Sequence, residues 1–252
     1  MRFNRRLLIL LIAPAIMHAF ASAQEFGDIT FSCPPCGCPG DAITEPSAGS
    51  CSVCGMPMVE RPPFRNIAFL IYDHMQLADL AGAFSVFEGA RMFTVYTVGQ
   101  RSKPVKTHPG GVTITPHFTF EDCPKPDILV IPGGGVARQV GDTAVISWIR
   151  RTSADAKLVL SVCTGVFILA KTGLIDGLSA TVLDGDLEQL RKAAPRVQVV
   201  SERRFVDNGK FLSAAGPFSG VDASLHVLRR IFGNDARAKE VAAYIDYRWV
   251  EE

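Results

Sequence analysis

Histidine is scarce in this chain, five in 252 residues, and beyond the first six residues no cluster of lysine or arginine forms a basic tail or stripe. Without a concentrated positive field, nucleic acid is not an expected partner. Long apolar runs are also lacking: the one near the start is interrupted by Pro14 and His18 and is short for a bilayer span. There is no internal repeat, and a helix-turn-helix module is not expected after the last helix. Disorder is not expected either, because 48% hydrophobic residues suffice for one sizeable α/β domain with a small appendage.

The first 23 residues have a basic start (Arg2, Arg5, Arg6), an apolar stretch, and Ala21 and Ala23 in an A-x-A arrangement before Gln24. This predicts a secretory signal peptide cut after Ala23, export to the bacterial periplasm, and no stable membrane span after cleavage. Arg5-Arg6 leaves both the general and the twin-arginine export routes open. Removing three arginines and no acid leaves about −2 on the mature chain. The seven cysteines all lie beyond the cut, in a compartment where disulfides persist.

Residues 24–65 are rich in Cys, Pro, Gly and Ser and cannot bury enough apolar surface to fold without a staple. Cys33 and Cys36 form one C-x-x-C, Cys51 and Cys54 another, and Cys38 adds a fifth thiol beside the first pair. Two such knuckles about fifteen residues apart suit four thiolates converging tetrahedrally on zinc. The expectation is one zinc ion on Cys33, Cys36, Cys51 and Cys54, with Cys38 as an alternative in the first knuckle. Cu(I), with Met56 and Met58 as soft ligands, and a set of disulfides are the competing readings. The segment resembles short heavy-metal-binding and zinc-ribbon modules that end in C-x-x-C-G-M. "ERPPF" (60–64) reads as a stiff linker.

From Asn66 to the end at 252, strand and helix signals alternate. Strands are expected at 66–72, 92–98, near 127–131 running into "PGGG", at 157–162, 180–184 and 197–200, with a hairpin around Asn208-Gly209. Helices are expected at 79–90, 143–155, after Cys163, and at about 219–231 and 234–246. Apolar strands alternating with helices imply a mostly parallel sheet covered on both faces.

Cys163, in "SVCTG", falls where a strand turns into a helix at the carboxyl edge of that sheet. There a helix N-terminus would favour thiolate and lower the pKa, although burial as a small hydrophobe is the plain alternative. Asp79 reads equally as a helix N-cap or a site acid, and Asp222 as a structural or capping acid. Cys123 has no assigned role.

From about Asn66 to Arg248 the chain resembles the ThiJ/PfpI superfamily of class I glutamine amidotransferase-like proteins. The stretches that carry this are "FLIYDHMQLADLAGAFSVFE", "DILVIPGGG", "SVCTGVFILAKTGLIDGLSAT", "RFVDNGKFLSAAGPFSGVDASLHVLRRIFG" and "AKEVAAYIDY". The likeness is greatest to the branch holding isonitrile hydratases and the sensor domains of AraC-type regulators. It implies a flavodoxin-like α/β sandwich, usually a homodimer, with Cys163 at the elbow and Asp79 meeting its sulfur. Amides from Gly133, Gly134, Gly135 and Thr164 would form the anion pocket, and no cofactor is expected in this domain. Thr164 stands where other branches have histidine after the cysteine, and Leu183 or Asp184 where the regulator-like branch has one, so histidine-assisted hydrolysis is not expected. The reading that follows is an exported, cysteine-dependent hydratase or hydrolase acting on a small electrophilic carbon. Its alternative is a non-enzymatic metal- or redox-stress protein.

Overall fold

The computed structural model describes residues 26–33, 38–108 and 111–250; the predicted signal peptide and Cys36 lie outside them. Near the N-terminus, β1 (Thr30–Ser32), β2 (Thr44–Glu45) and β3 (Val59–Arg61) make a small antiparallel sheet with β1 in the middle. The main body is a seven-stranded sheet built from β4 (Asn66–Leu70), β5 (Thr94–Gly99), β8 (Phe118–Thr119), β9 (Ile128–Ile131), β10 (Leu158–Val162), β13 (Phe205–Asp207) and β14 (Phe211–Ala214). Its order is β13-β14-β10-β9-β4-β5-β8, parallel throughout except for the antiparallel edge strand β13. Two short ladders lie outside it: β6 (Val105–Lys106) with β7 (Thr113–Ile114), and β11 (Ser179–Ala180) with β12 (Gln198–Val199).

Every residue of β9 (ILVI) and β10 (LVLSV) is buried, the signature of strands covered on both faces. The covering helices are α1 (Leu77–Gly89), α6 (Pro217–Phe232) and α7 (Ala236–Tyr244), which pack together, and α2 (Ala137–Gly141), α3 (Thr143–Asp155) and α4 (Gly165–Lys171), which form the other layer. A further helix, α5 (Leu187–Ala193), packs beside β12. Local signals set these bounds: Asp142 Oδ1 accepts the Ala144 and Val145 amides at 2.9 and 3.3 Å to start α3, and Pro217 opens α6 while Gly233, at φ 67°, closes it. Among the described residues no helix is long and apolar enough to cross a membrane.

Two expectations change. Of the predicted 180–184 strand only Ala180 pairs, together with Ser179 before it, because Asp184-Gly185-Asp186 turns into a 3-10 helix, as short polar and glycine residues favour. Residues 60–64 are not a free spacer. Glu60 and Arg61 belong to β3, and Phe64 is 1% exposed within the main core. Phe64 packs edge-on against Phe26 at 5.1 Å, the Arg230 guanidinium lies 4.8 Å from the Phe26 ring centre, and Glu60 pairs with Arg237 at 2.7 Å. These contacts seat the N-terminal sheet beneath the amino ends of β4 and β14, since Phe64 precedes β4 and Arg230 also bonds the Gly209 carbonyl in the turn before β14.

Candidate active site and thiol cluster

Cys163 follows the last residue of β10 with φ 55°, a left-handed conformation that a non-glycine residue adopts only when its surroundings hold it there. The Cys163 amide donates to the Ala214 carbonyl at 2.9 Å, fixing the turn to the neighbouring strand. Gly165 follows because a Cβ there would lie 2.1 Å from the Ile131 carbonyl oxygen. The sequence thus bends at one point, and the cysteine is the residue at the bend.

Asp79 is fully buried in the first turn of α1, whose N-cap is Gln76; the capping reading of Asp79 is therefore set aside. Its Oδ2 accepts the Gly133 amide at 2.9 Å, while Oδ1 is buried without a hydrogen-bond partner. Burial lifts this carboxyl to about 7, against the partly opposing Gly133 amide and Cys163 thiol. The Cys163 thiol is pushed up to about 11, first by burial and then by the Asp79 charge, with the Thr164 amide and hydroxyl opposing. This reverses the expected lowering. Burial and the Asp79 charge outweigh the lowering by the Thr164 amide and hydroxyl at the start of α4. Cys123, half-buried with its thiol donating to the Pro124 carbonyl at 3.1 Å, is also raised to about 11, mainly by burial.

The glycine loop is pressed against the elbow. Gly134 has φ 114°, and a Cβ there would fall 2.3 Å from the Gln76 amide nitrogen; one on Gly133 would fall 2.6 Å from the Thr164 amide nitrogen. The expected anion pocket therefore has a specific limit. Gly133 N–H donates to Asp79, Gly134 N–H to Thr164 Oγ1 at 2.8 Å, and Gly135 N–H to the His74 carbonyl at 2.8 Å, so all three amides are committed within the fold. The Thr164 amide, which acts on the Cys163 sulfur, is the expected donor that remains beside it.

Tyr72 was not anticipated. It sits two residues beyond the end of β4, and its hydroxyl reaches the Pro132 and Gly133 carbonyls at 2.7 and 2.9 Å. Burial, with Asp79 and Cys163 nearby, raises its phenol well above the ordinary value. Its place at the carboxyl end of an expected strand was the available signal. The histidines stand apart: His74 and His108 are exposed, His117 Nδ1 bonds the Thr97 hydroxyl at 2.8 Å, and His226 pairs with Asp207 at 2.8 Å. Among the described residues no histidine is hydrogen-bonded to Cys163 or Asp79. Asp222 is structural, held by Arg204 and the Val250 amide.

At the other end of the molecule, the sulfurs of Cys33, Cys38, Cys51 and Cys54 all lie within 4.8 Å of one another. Cys33 Sγ is 3.7 Å from Cys38 Sγ and 3.3 Å from Cys54 Sγ. A zinc ion with bonds of about 2.3 Å to four tetrahedral sulfurs spaces them about 3.8 Å apart, whereas a disulfide needs about 2.05 Å. The donor set and spacing therefore fit a metal. The knuckle is formed by Gly55, at φ 73°, donating to the Cys51 carbonyl, and by Cys51 donating to that of Met56, both at 2.8 Å. Gly40 completes it: its amide donates to Cys38 Sγ at 3.2 Å, and a Cβ there would lie 2.5 Å from Cys51 Sγ. The Met56 amide and then Cys33 lower the Cys54 thiol from its ordinary value. Among the described residues, Cys38, expected as the alternative, is the cluster member beside Cys33; Cys36 lies outside them.

Comparison with known proteins agrees with this geometry. Residues 65–230 match the model of the DJ-1/PfpI family. The isonitrile hydratase of Pseudomonas putida is 33% identical over 185 residues, covering 72% of this chain and 78% of that protein. The HTH-type transcriptional regulator GbdR of Pseudomonas aeruginosa is 28% identical over 191 residues, 73% of this chain but only 51% of the regulator. A crystal structure of a ThiJ/PfpI family protein from Pseudomonas syringae superposes with a TM-score of 0.67 at 26% identity, covering 75% of this chain and 79% of that one. With its flavodoxin-like sheet, its cysteine elbow and these relatives, the chain belongs to the DJ-1/PfpI family.

Proposed function

We propose that this protein is an exported, cysteine-dependent enzyme that adds water to a small electrophilic carbon, as in an isonitrile. The observation that carries the reading is the pairing of a left-handed Cys163 with a buried Asp79 whose carboxyl titrates near 7 and keeps one oxygen unpartnered. A base poised at neutral pH beside a neutral thiol takes the proton as the sulfur attacks. In the isonitrile case, Asp79 removes the Cys163 proton, the sulfur bonds to the terminal carbon, and Asp79 returns that proton to the same carbon, giving a thioimidate. Water then adds to this carbon. The C–S bond breaks, the thiol regains its proton, and the product is an N-substituted formamide, so the net change is the addition of one water. The Thr164 amide supports negative charge on the sulfur. No histidine is required.

The four-thiol cluster supports a second component of this reading: one zinc ion, with Cu(I) as the alternative, acting as a staple for the N-terminal sheet. The proposed mature form starts after Ala23 and works in the bacterial periplasm as a homodimer. A non-enzymatic metal- or redox-stress role is the competing reading, favoured by the same thiols and by regulators among the relatives. The test is turnover of alkyl and aryl isonitriles and small reactive carbonyls by wild type, Cys163→Ser, Asp79→Asn and alanine variants of His74, His108, His117 and His226. Turnover lost in the first two variants and kept in the rest supports the enzyme. Inactivity of wild type on the whole panel, with reversible oxidation at Cys163, favours the competing role.

A further inference from the structure

A cavity of ≈ 160 Å³ lies at the carboxyl ends of β4 and β5, between the 100–105 loop and helices α2 and α3. Cys163 and Asp79 are not among the residues that line it. Ile71, Val145, Phe120 and Tyr72 are among the apolar and aromatic residues of its lining. Arg101, Lys103 and Arg138 also line it, and among the described residues none of the three forms an ion pair or a side-chain hydrogen bond. The acids present are already engaged: Asp142 caps α3 and accepts Gln100 Nε2 at 3.2 Å, and Asp73 accepts the Lys106 amide at 2.9 Å. Gln139, only 6% exposed, lines the same cavity and leaves its Oε1 without a hydrogen-bond partner.

We propose that this cavity binds a small organic monocarboxylate, with its apolar body against Phe120, Val145 and Ile71 and its head group among Arg101, Lys103 and Arg138. Three cations against two carboxylates leave a single positive excess, which suits a monoanion and disfavours a phosphate dianion. The apolar part of the lining asks for a hydrocarbon body, and the buried Gln139 amide offers a polar contact that the fold itself leaves unused. The cavity also touches the active site through one residue, because Tyr72 forms part of its wall and bonds the Gly133 carbonyl.

The structure supplies its own probe, since Phe120 stacks on Trp148 with ring centres 4.4 Å apart and planes 7° from parallel. In a Trp249→Phe background, Trp148 is the sole tryptophan. Hexanoate should change its emission saturably, with hexanamide and hexylamine binding at least about tenfold more weakly. Arg101→Gln and Arg138→Gln, changes at exposed positions, should each weaken hexanoate severalfold, and inorganic phosphate should not compete. Cys163→Ser should bind hexanoate as wild type does, which separates this site from the proposed catalysis. Equal binding of hexanoate and hexanamide, no saturable change, or binding that disappears in Cys163→Ser would each overturn the proposal.

Discussion

Thr164 and Gly134 hold each other twice: the Gly134 amide donates to Thr164 Oγ1 at 2.8 Å, and that hydroxyl donates back to the Gly134 carbonyl at 3.0 Å. The pair joins the elbow after β10 to the loop after β9, so the cysteine and the glycine run form one rigid unit. Thr164→Val keeps the shape and removes both bonds, leaving a part-buried amide unsatisfied. A loss of about 1–3 kcal/mol is expected in urea unfolding, and Thr164→Ser should recover most of it. Equal stability of the valine and serine variants would show that the clasp contributes nothing.

Asp79 sets the pH behaviour. Its folded value, about 7, is above its unfolded value of 3.8, so the folded state binds the proton more tightly. Its contribution to stability is fully present below pH 4 and declines as pH rises toward 7, reaching about 4 kcal/mol of difference. Asp79→Asn keeps an acceptor for the Gly133 amide and should not show that decline. Relative to wild type it gains stability across this window, measured by urea unfolding at a series of pH values. Turnover that depends on Cys163 should rise with an apparent pKa near 7 in wild type.

The Cys163 thiol, at about 11, should be sluggish toward iodoacetamide at neutral pH and gain rate steadily with alkalinity, without a plateau below pH 9. Asp79→Asn removes the neighbouring charge and should speed labelling severalfold at pH 8. A midpoint below that of free cysteine, followed by mass spectrometry of the labelled peptide, would restore the acidic-thiol expectation and reverse the roles of the pair.

The thiol cluster should carry one zinc ion per chain in native mass spectrometry, removable by a chelator. Cys38→Ser and Cys51→Ser should each lose it, and Cys36→Ser should retain it, since Cys38 is the sulfur placed with the other three. Cobalt substitution should give the intense visible bands of a tetrahedral thiolate site. Metal kept by Cys38→Ser but lost by Cys36→Ser would return the ligand set to the two C-x-x-C pairs.

Much of this was legible in the chain. Continuous apolar runs such as "ILVI" and "LVLSV" announce strands covered on both faces, Asn208-Gly209 marks the hairpin, and "SVCTG" places a cysteine at a strand-to-helix bend. What was not legible depends on distant neighbours. Nothing in the spacing of Cys33, Cys36 and Cys38 says that the Cys38 sulfur reaches the cluster; that follows from the turn at Pro39–Ala42 and from Gly40, which leaves room for Cys51. The direction of the Cys163 shift depends on burial and on a carboxyl 84 positions earlier in the chain, neither of which local pattern reports. The seat of Phe64 against Phe26 was hidden for the same reason, because proline-rich sequence around it looks like a spacer.

The N-terminal sheet rests on the amino ends of the strands, and Cys163 emerges from a carboxyl end. The five residues of β10 alone extend about 16 Å, so no single small molecule touches both groups of sulfur. The half-buried Cys123 aside, reagents that attack thiols therefore meet two independent populations, the cluster and the elbow. With the proposed metal in place, a chelator or mercurial should strip the first while the elbow stays folded, and an electrophile trapped at the second should leave the first intact. The two losses should follow separate time courses, and a cell exposed to both insults would hold four distinguishable forms of one protein.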